Sequence, residues 1–376
     1  MGEALPLSGI TVFEFGSNVA GPYAGFVLAQ LGADVVKFER LEGDDARNWG
    51  PPFAEDGTAT IFHAINRDKK SVAIDLKDPA VQQNLRDRIA NEADVVVQNL
   101  RPGAMQRLGL DADRLIEENP RLIYCNLHAF GDTGPLSNRP GYDALMQAFG
   151  GIMSVTGEPN RAPVRCGISV IDMGTGMWCT IGILSALFRR QLTGKGGKVD
   201  AALFETAVGW MNFYSADYQV TGQPPAQLGS GVRGIAPYQA FECSDGWLII
   251  AASNDRLFDK LADAMGHEEW KYDERFRTNP QRAANRDILI PIMTEILIRQ
   301  PRAHWQGILD DAGVPNAPTQ DIGEVLQHPQ TLASGMVQNN GDGGIDLIGL
   351  PLKFDGERPP LRNRAPALGA DNAAEG

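Results

Sequence analysis

The chain has little cysteine and little histidine. Four cysteines (Cys125, Cys166, Cys179, Cys243) and five histidines (His63, His128, His267, His304, His328) are scattered over 376 residues, with no Cys-x-x-Cys pair. A disulfide framework needs denser spacing and a zinc site needs clustered ligands, so neither is predicted. Runs of Lys and Arg are missing too, and 34 basic against 47 acidic residues leave a net charge of −13. A chain this acidic is repelled by nucleic acid and by anionic lipid, and neither is expected as a partner. The loop at residues 16–21 reads Gly-Ser-Asn-Val-Ala-Gly, not Gly-x-Gly-x-x-Gly, and no Gly-x-x-x-x-Gly-Lys-Ser/Thr or Gly-x-Ser-x-Gly occurs. Dinucleotide binding, nucleotide triphosphate hydrolysis and a nucleophile-elbow hydrolase therefore lack their usual loops. Met1–Ser8 has no basic region followed by an apolar core, and Pro6 stands where a myristoylation signal wants Ser or Thr. The most membrane-like stretch, 173–188, is shorter than the roughly 20 apolar residues of a comfortable span. A reduced, cytoplasmic location is the expectation.

What is present is an ordinary globular composition, 43% hydrophobic and 22% charged, in a length that predicts about two domains. Short β-branched or aromatic runs at 10–15, 34–38, 71–76, 94–98, 122–126 and 198–201 read as strands. Helical patterns separate the earlier ones, at 23–31, 80–92 and 113–118. This alternation predicts an α/β fold with a parallel sheet covered on both faces. Residues 175–191 form a helix apolar nearly all round, expected to be buried. A further helix covers 203–217. Residues 221–234, rich in Gly, Pro, Gln and Ser, read as a linker, and 235–315 as a smaller α+β domain with a hairpin around Ser244-Asp245-Gly246. The large domain then comprises 1–220, with 316–376 a linker and C-terminal segment returning to it through 347–354. The last six residues are expected to be disordered.

Ligands of such sheets sit at the carboxyl ends of the strands. Arg40, Lys77, Arg101 and Arg107 all fall at such ends, which in an acidic protein suggests a ligand carrying several phosphates. Asp172, in Ser169-Val-Ile-Asp-Met-Gly-Thr-Gly-Met, has two readings. It is an N-cap of the apolar helix, contributing about 1 kcal/mol. Or it is a nucleophile, kept ionised by the helix N-terminus and approached across Gly174 and Gly176, able to attack an activated acyl carbon.

Several strings resemble one family. Gly21-Pro22, Leu31-Gly32-Ala33-Asp34-Val35-Val36-Lys37-Phe38-Glu39-Arg40, Asn66-Arg67-Asp68-Lys69-Lys70-Ser71, Asn99-Leu100-Arg101-Pro102-Gly103, Pro140-Gly141-Tyr142-Asp143 and Asp172-Met-Gly-Thr-Gly-Met are similar to the class III coenzyme A transferases, the CaiB/BaiF group. The likeness covers nearly the whole chain. It implies a Rossmann-like large domain built from both ends of the chain, a smaller inserted domain, and an interlocked homodimer. It implies Asp172 as nucleophile. It implies coenzyme A contacts at Val19, Ala20, Arg40, Ile74, Asp75, Leu76, Lys77, Asn99, Leu100, Arg101 and Arg107, with Tyr142 lining the site. It implies no permanently bound cofactor and no metal: a coenzyme A thioester is the substrate and a small carboxylic acid the acceptor.

The resemblance also carries expectations about the acids. Arg47, Trp49 and Pro51-Pro52-Phe53 resemble branches acting on succinyl-CoA and dicarboxylates, and Arg233 is a candidate for the distal carboxylate. The branch that handles oxalate has a glycine run where this chain has Gly229-Ser-Gly-Val-Arg-Gly, so oxalate is disfavoured. Two alternatives stay open: an α-methylacyl-CoA racemase-type isomerase, which uses His where Tyr142 stands, and an inactive coenzyme A-binding paralogue.

Overall fold

The computed structural model describes residues 5–339, 341 and 344–375. Met1–Ala4, half of the segment read for leader and myristoylation signals, lie outside the described residues. The chain forms two compact units, one of residues 1–152, 165–222 and 329–376, the other of 153–164 and 223–328.

In the first unit the order is β1 (Thr11–Phe15), α1 (Ala20–Gln30), β2 (Asp34–Glu39), α2 (Thr60–Asn66), β3 (Lys69–Ala73), α3 (Pro79–Glu92) and β4 (Val95–Gln98). Then come α4 (Ala104–Arg107), α5 (Ala112–Glu118), β5 (Ile123–His128), α6 (Asp143–Phe149) and α8 (Val170–Thr193), while α7 (Ile152–Val155) falls in the second unit from Met153 on. β6 (Gly197–Ala202), α9 (Leu203–Trp210) and α10 (Asn212–Thr221) follow. The strands pair in parallel in the order β3-β2-β1-β4-β5-β6. That is the doubly wound arrangement, whose ligand crevice opens at the carboxyl ends where strand order reverses, beside β1 and β4. One sheet face buries Val12, Val35, Val97 and Cys125 with residues of α1 and α8. The other buries Phe13, Val36, Val96 and Tyr124 with Leu85, Ile89 and Leu115 of α3 and α5. Alternate residues of each strand thus enter opposite cores, the outcome expected of a sheet covered on both sides.

The second unit holds an antiparallel sheet of β7 (Tyr238–Cys243), β8 (Gly246–Ala251) and β9 (Asn316–Pro318). α11 (Asp255–Ala264), α12 (Asn279–Ala284), α13 (Arg286–Leu297), α14 (Arg302–Ala312) and α15 (Ile322–Gln327) accompany it. Its core gathers Phe241, Leu248, Phe258, Leu261, Met293 and Trp305. The predicted limits 235–315 are too narrow, because β9 completes the sheet. The stretch 221–234 is not a free linker: Gln227 Nε2 donates to the Thr156 carbonyl at 2.7 Å and the Gly229 N–H to the Gly157 carbonyl at 2.9 Å.

The chain closes with α16 (Pro329–Ser334), β10 (Val337–Gln338), β11 (Leu347–Ile348) and α17 (Asn372–Glu375) in the first unit. Leu350 joins the first unit's core, as the apolar 347–354 segment suggested. Asp371 and Asn372 are held rather than loose, because they cover an edge; Gly376 lies outside the described residues. Asp371 Oδ2 accepts the Ser71 N–H at 2.8 Å, and Asn372 both accepts the Ala73 N–H and donates to the Ala73 carbonyl. These side chains satisfy the edge strand β3, which would otherwise offer a free ladder.

Two helix expectations change. The predicted 203–217 helix is two, α9 and α10, broken at Met211. α8 is longer than predicted, so the length reason against a membrane span fails: it is long and apolar enough to cross one. In this fold it packs on α1, α6 and α9. It is also not buried all round, for Met177, Trp178, Ile181, Phe188 and Leu192 are exposed, the last by 74%.

Candidate active site

Everything at the site depends on the loop joining β1 to α1. Gly16–Val19 is held at three points. Lys37 Nζ donates to the Gly16 carbonyl at 2.6 Å. Asn99 brackets Ser17, accepting its N–H and donating to its carbonyl, both at 2.8 Å. Asp44 Oδ1 accepts the N–H of Asn18, whose φ of 68° is a left-handed conformation that asparagine tolerates. Lys37 is itself buried between Glu14 (3.0 Å) and Asp44 (2.9 Å). Burial alone would lower its proton affinity, but Glu14, Asp44 and Glu39 outweigh it and hold Lys37 above the usual lysine range. Lys69 sits 2.7 Å from the other oxygen of Glu14, and burial pushes it down to about 8 against that attraction. Removing one partner of such a buried set leaves an uncompensated charge, so breaking this network would be strongly destabilising.

The loop spans two features. At its start, Gly16 and Ser17 line a cavity of about 230 Å³ with Arg40, Leu76 and Leu100, at the carboxyl ends of β1 to β4. At its end, Val19 and Ala20 are buried and open α1. Helix geometry leaves the Ala20 and Gly21 N–H groups without an intrahelical acceptor, Pro22 has no N–H, and Val19 supplies no side-chain cap. This first turn of α1 lies against α8. A Cβ at Gly176 would stand 2.8 Å from the Ala20 carbonyl oxygen and 3.1 Å from the Ala24 nitrogen. A Cβ at Gly174 would meet Trp210 at 3.0 Å. The two glycines therefore serve helix packing, not the ligand approach predicted for them.

Asp172 stands half-buried in the first turn of α8. It is not the cap. Ser169 occupies the N-cap position without a side-chain hydrogen bond, and the capping carboxylate comes from α6. Asp143 Oδ1 accepts the N–H groups of Ile171 (2.8 Å) and Asp172 (3.2 Å). Its Oδ2 accepts from Gln147 Nε2 at 2.5 Å, and Gln147 Oε1 accepts the Cys166 N–H at 2.8 Å. Among the described residues no group hydrogen-bonds the Asp172 carboxylate. Burial, and then the charge of Asp143, push Asp172 up to about 7. Asp172 is therefore a more basic carboxylate than the helix N-terminus alone would make it, first through burial and then because Asp143 already occupies that positive end.

The other predicted contacts divide. Tyr142 is exposed at the head of α6, next to Asp143, and so belongs to the Asp172 end. Arg40 lines the cavity but its guanidinium pairs with Asp45 and donates to the Gly43 carbonyl. Asn99 is committed to Ser17 and positions the loop. Ile74 faces a separate apolar cavity of about 260 Å³ with Phe38, Val72, Val81 and Leu85. Asp75 accepts the Lys77 N–H at 2.9 Å, closing a turn that leaves both side chains exposed. Arg101 and Arg107 are exposed around α4. Arg233 belongs to the second unit. Arg47 is no substrate ligand: it is buried, bidentate to Glu39 at 2.7 and 2.8 Å, and stacked on Phe62. Those hydrogen bonds, with Lys37 and Ser71, pull Glu39 down to about 2 although burial opposes them.

The family model described as CoA-transferase family III matches residues 7–372. The chain belongs to CoA-transferase family III. Acetyl-CoA:oxalate CoA-transferase of Acetobacter aceti is 37% identical over 98% of this chain and 94% of its own length. Succinate–glutarate CoA-transferase of Agrobacterium fabrum is 36% identical, over 96% and 92%. The crystal structure of a CaiB/BaiF family protein from Brucella suis superposes with a TM-score of 0.89 at 40% identity, covering 99% of this chain and 98% of that one. For this family III chain the residues that sequence reasoning missed are Glu14, Lys37, Lys69 and Asp44, which hold the loop, and Asp143 with Gln147, which hold α8. Lys37 alternates with apolar β2 neighbours, and a charge inside a buried strand was the available signal.

Proposed function

We propose that this chain moves coenzyme A from an acyl-CoA donor, succinyl-CoA among the candidates, to a small free dicarboxylate, by covalent catalysis at Asp172. The observation that carries the reading is Asp172 itself: a half-buried carboxylate with no hydrogen-bond donor committed to it among the described residues, one helical turn before Gly176, which packs on the first turn of α1. Its oxygen attacks the thioester carbonyl carbon, the C–S bond breaks, and the negative charge leaves on the coenzyme A thiolate. The mixed acyl-aspartyl anhydride then takes the thiolate at the aspartyl carbonyl. The donor acid departs, and the aspartyl-CoA thioester passes coenzyme A to the acceptor carboxylate through a second anhydride.

The β1–α1 loop supports the placement of the substrate. A coenzyme A thioester lying along it would set its nucleotide end in the cavity with Arg40, Leu76 and Leu100, and its thioester at α1. The Ala20 and Gly21 N–H groups are then the donors for the oxyanion. The first turn of α8 is unsuited to that task, since Asp143, Ile168 and Ser169 already accept its amides. Both relatives cited above are named for dicarboxylates, oxalate and glutarate, which favours a dicarboxylate here. Oxalate, set aside on the missing glycine run, returns as a candidate acceptor, because a relative named for it is 37% identical. Arg233 keeps its candidacy for the distal carboxylate. We also propose that the exposed apolar stripe of α8, together with Phe213 and Val220 of α10, is covered by a second copy of this chain in the interlocked dimer.

The test is coenzyme A exchange between a panel of acyl-CoA donors and free acids, with hydroxylamine added during turnover. Transfer, and a hydroxamate mapped to the Asp172 peptide, are the expected result. Exchange of an α-proton with solvent without transfer would instead point to the isomerase, and neither reaction to the inactive paralogue.

A further inference from the structure

We infer that Asp143 is a positioning residue that drives Asp172 toward its acylated form. This rests on Asp172 being the nucleophile. The geometry gives Asp143 two tasks. Its Oδ1 accepts the Ile171 and Asp172 N–H groups, at 2.8 and 3.2 Å, and so fixes the backbone from which the nucleophile projects. Its Oδ2 is held by Gln147, whose own carbonyl takes the Cys166 N–H, so α6 ties down both the helix start and the strand of chain before it. A neutral side chain such as Ser or Asn would cap the helix equally well. A second carboxylate does something a neutral cap does not: it sets a buried negative charge against the nucleophile's own.

That charge changes the energetics of the reaction in one direction. Free Asp172 is an anion facing an anion. On acylation Asp172 becomes neutral, its negative charge passes to the departing thiolate, and the repulsion ends. The free enzyme is raised relative to the acyl-enzyme, and the carboxylate is a stronger nucleophile for being more basic. Other ionisable groups are placed differently. Tyr142 is exposed on α6. Tyr23 of α1 lies against Gly176, and Glu205 of α9 lies toward Gly131. Cys166 precedes the helix, and Cys179, two turns further on, is buried against Cys125. β5 and β6 turn His128, Lys198 and Asp200 to the sheet face of Tyr124, away from α8. Among these groups Asp143 is the one whose charge raises Asp172.

The experiment compares Asp143→Asn, Asp143→Glu and Asp143→Ala in the full chain, measuring kcat/KM against pH and the hydroxylamine-trapped adduct. Asp143→Asn keeps an oxygen acceptor and loses the charge. Its acidic limb should move to lower pH by about one unit, with a smaller trapped fraction of acyl-enzyme at neutral pH. Asp143→Glu keeps the charge and should hold the limb close to its original place. Asp143→Ala loses both and should lower kcat further; if it fails to fold, the Asn and Glu variants carry the test. An unmoved limb in Asp143→Asn, with the adduct still on Asp172, would overturn the role of Asp143 and leave the nucleophile standing. No adduct on Asp172 in the unaltered protein would overturn the nucleophile, and this inference with it.

Discussion

Two helix N-termini meet in the first unit, and they are finished in opposite ways. α1 begins without a side-chain cap, with Pro22 in its first turn and its leading N–H groups unclaimed within the helix. α8 begins with its amides taken by a buried carboxylate from α6. An open helix end attracts negative charge, whereas a filled one repels it. The first suits an oxyanion or a phosphate. The second leaves the Asp172 carboxylate without a backbone donor and beside a second carboxylate, as the proposed nucleophile requires. Gly176 lets the two ends touch, so one short contact brings an anion acceptor beside an anion donor.

The largest expected effect tests the α8 end. Asp172→Asn should reduce coenzyme A transfer by several orders of magnitude, because a carboxamide does not attack the thioester as a carboxylate does. Its melting temperature should stay near that of the parent, since Asp143 does the capping. A melting temperature lowered by several degrees with transfer retained would restore the cap reading.

Next in size is Gly176→Ala, which forces a methyl group against the Ala20 carbonyl. Backbone cannot yield as a side chain can, so a loss of about 1–3 kcal/mol in denaturant unfolding is expected, with activity falling as the two helix ends separate. Gly174→Ala meets the ring of Trp210 and should cost less. Equal costs would show that the α1–α8 contact is not tight.

At the α1 end, Arg40→Ala should raise the KM for different acyl-CoA donors by similar factors, equivalent to about 1–3 kcal/mol of binding. Stability should hardly change, because the Arg40–Asp45 pair is exposed. An effect on the acid acceptor alone would place Arg40 away from the coenzyme.

A further effect is on stability against pH. Folding raises Asp172 from an ordinary carboxylate value to about 7. Between about pH 4 and 7 the native state therefore keeps a proton that the unfolded chain has lost, and stability declines as pH rises through that window. Asp172→Asn should flatten that part of the curve. An unchanged slope would mean the carboxylate is better solvated than its surroundings suggest.

Much of this was legible beforehand. The β-branched runs with short turns announced a parallel sheet, and Arg40, Leu76 and Leu100 line a cavity at the carboxyl ends of its strands. What the sequence left unread has one recurring reason. A residue's type shows what it can bond, not which partner reaches it first. Arg47 stands in a stretch that resembles dicarboxylate-handling branches, and its guanidinium is held by Glu39. Asn99 could bind a ligand, but Ser17 occupies both its groups. Asp371 and Asn372 looked like a frayed tail until an unpaired strand edge was placed beside them.

The sequence by itself determined the architecture of the large unit, the family, and the identity of the carboxylate on the apolar helix, because periodicity and local motifs are short-range properties written along the chain. Only the tertiary structure decided that Asp143, 29 residues before Asp172, caps its helix and raises its proton affinity. Hydrogen bonding and charge act over a few ångströms in space, and separation along the chain says nothing about which groups folding brings that close.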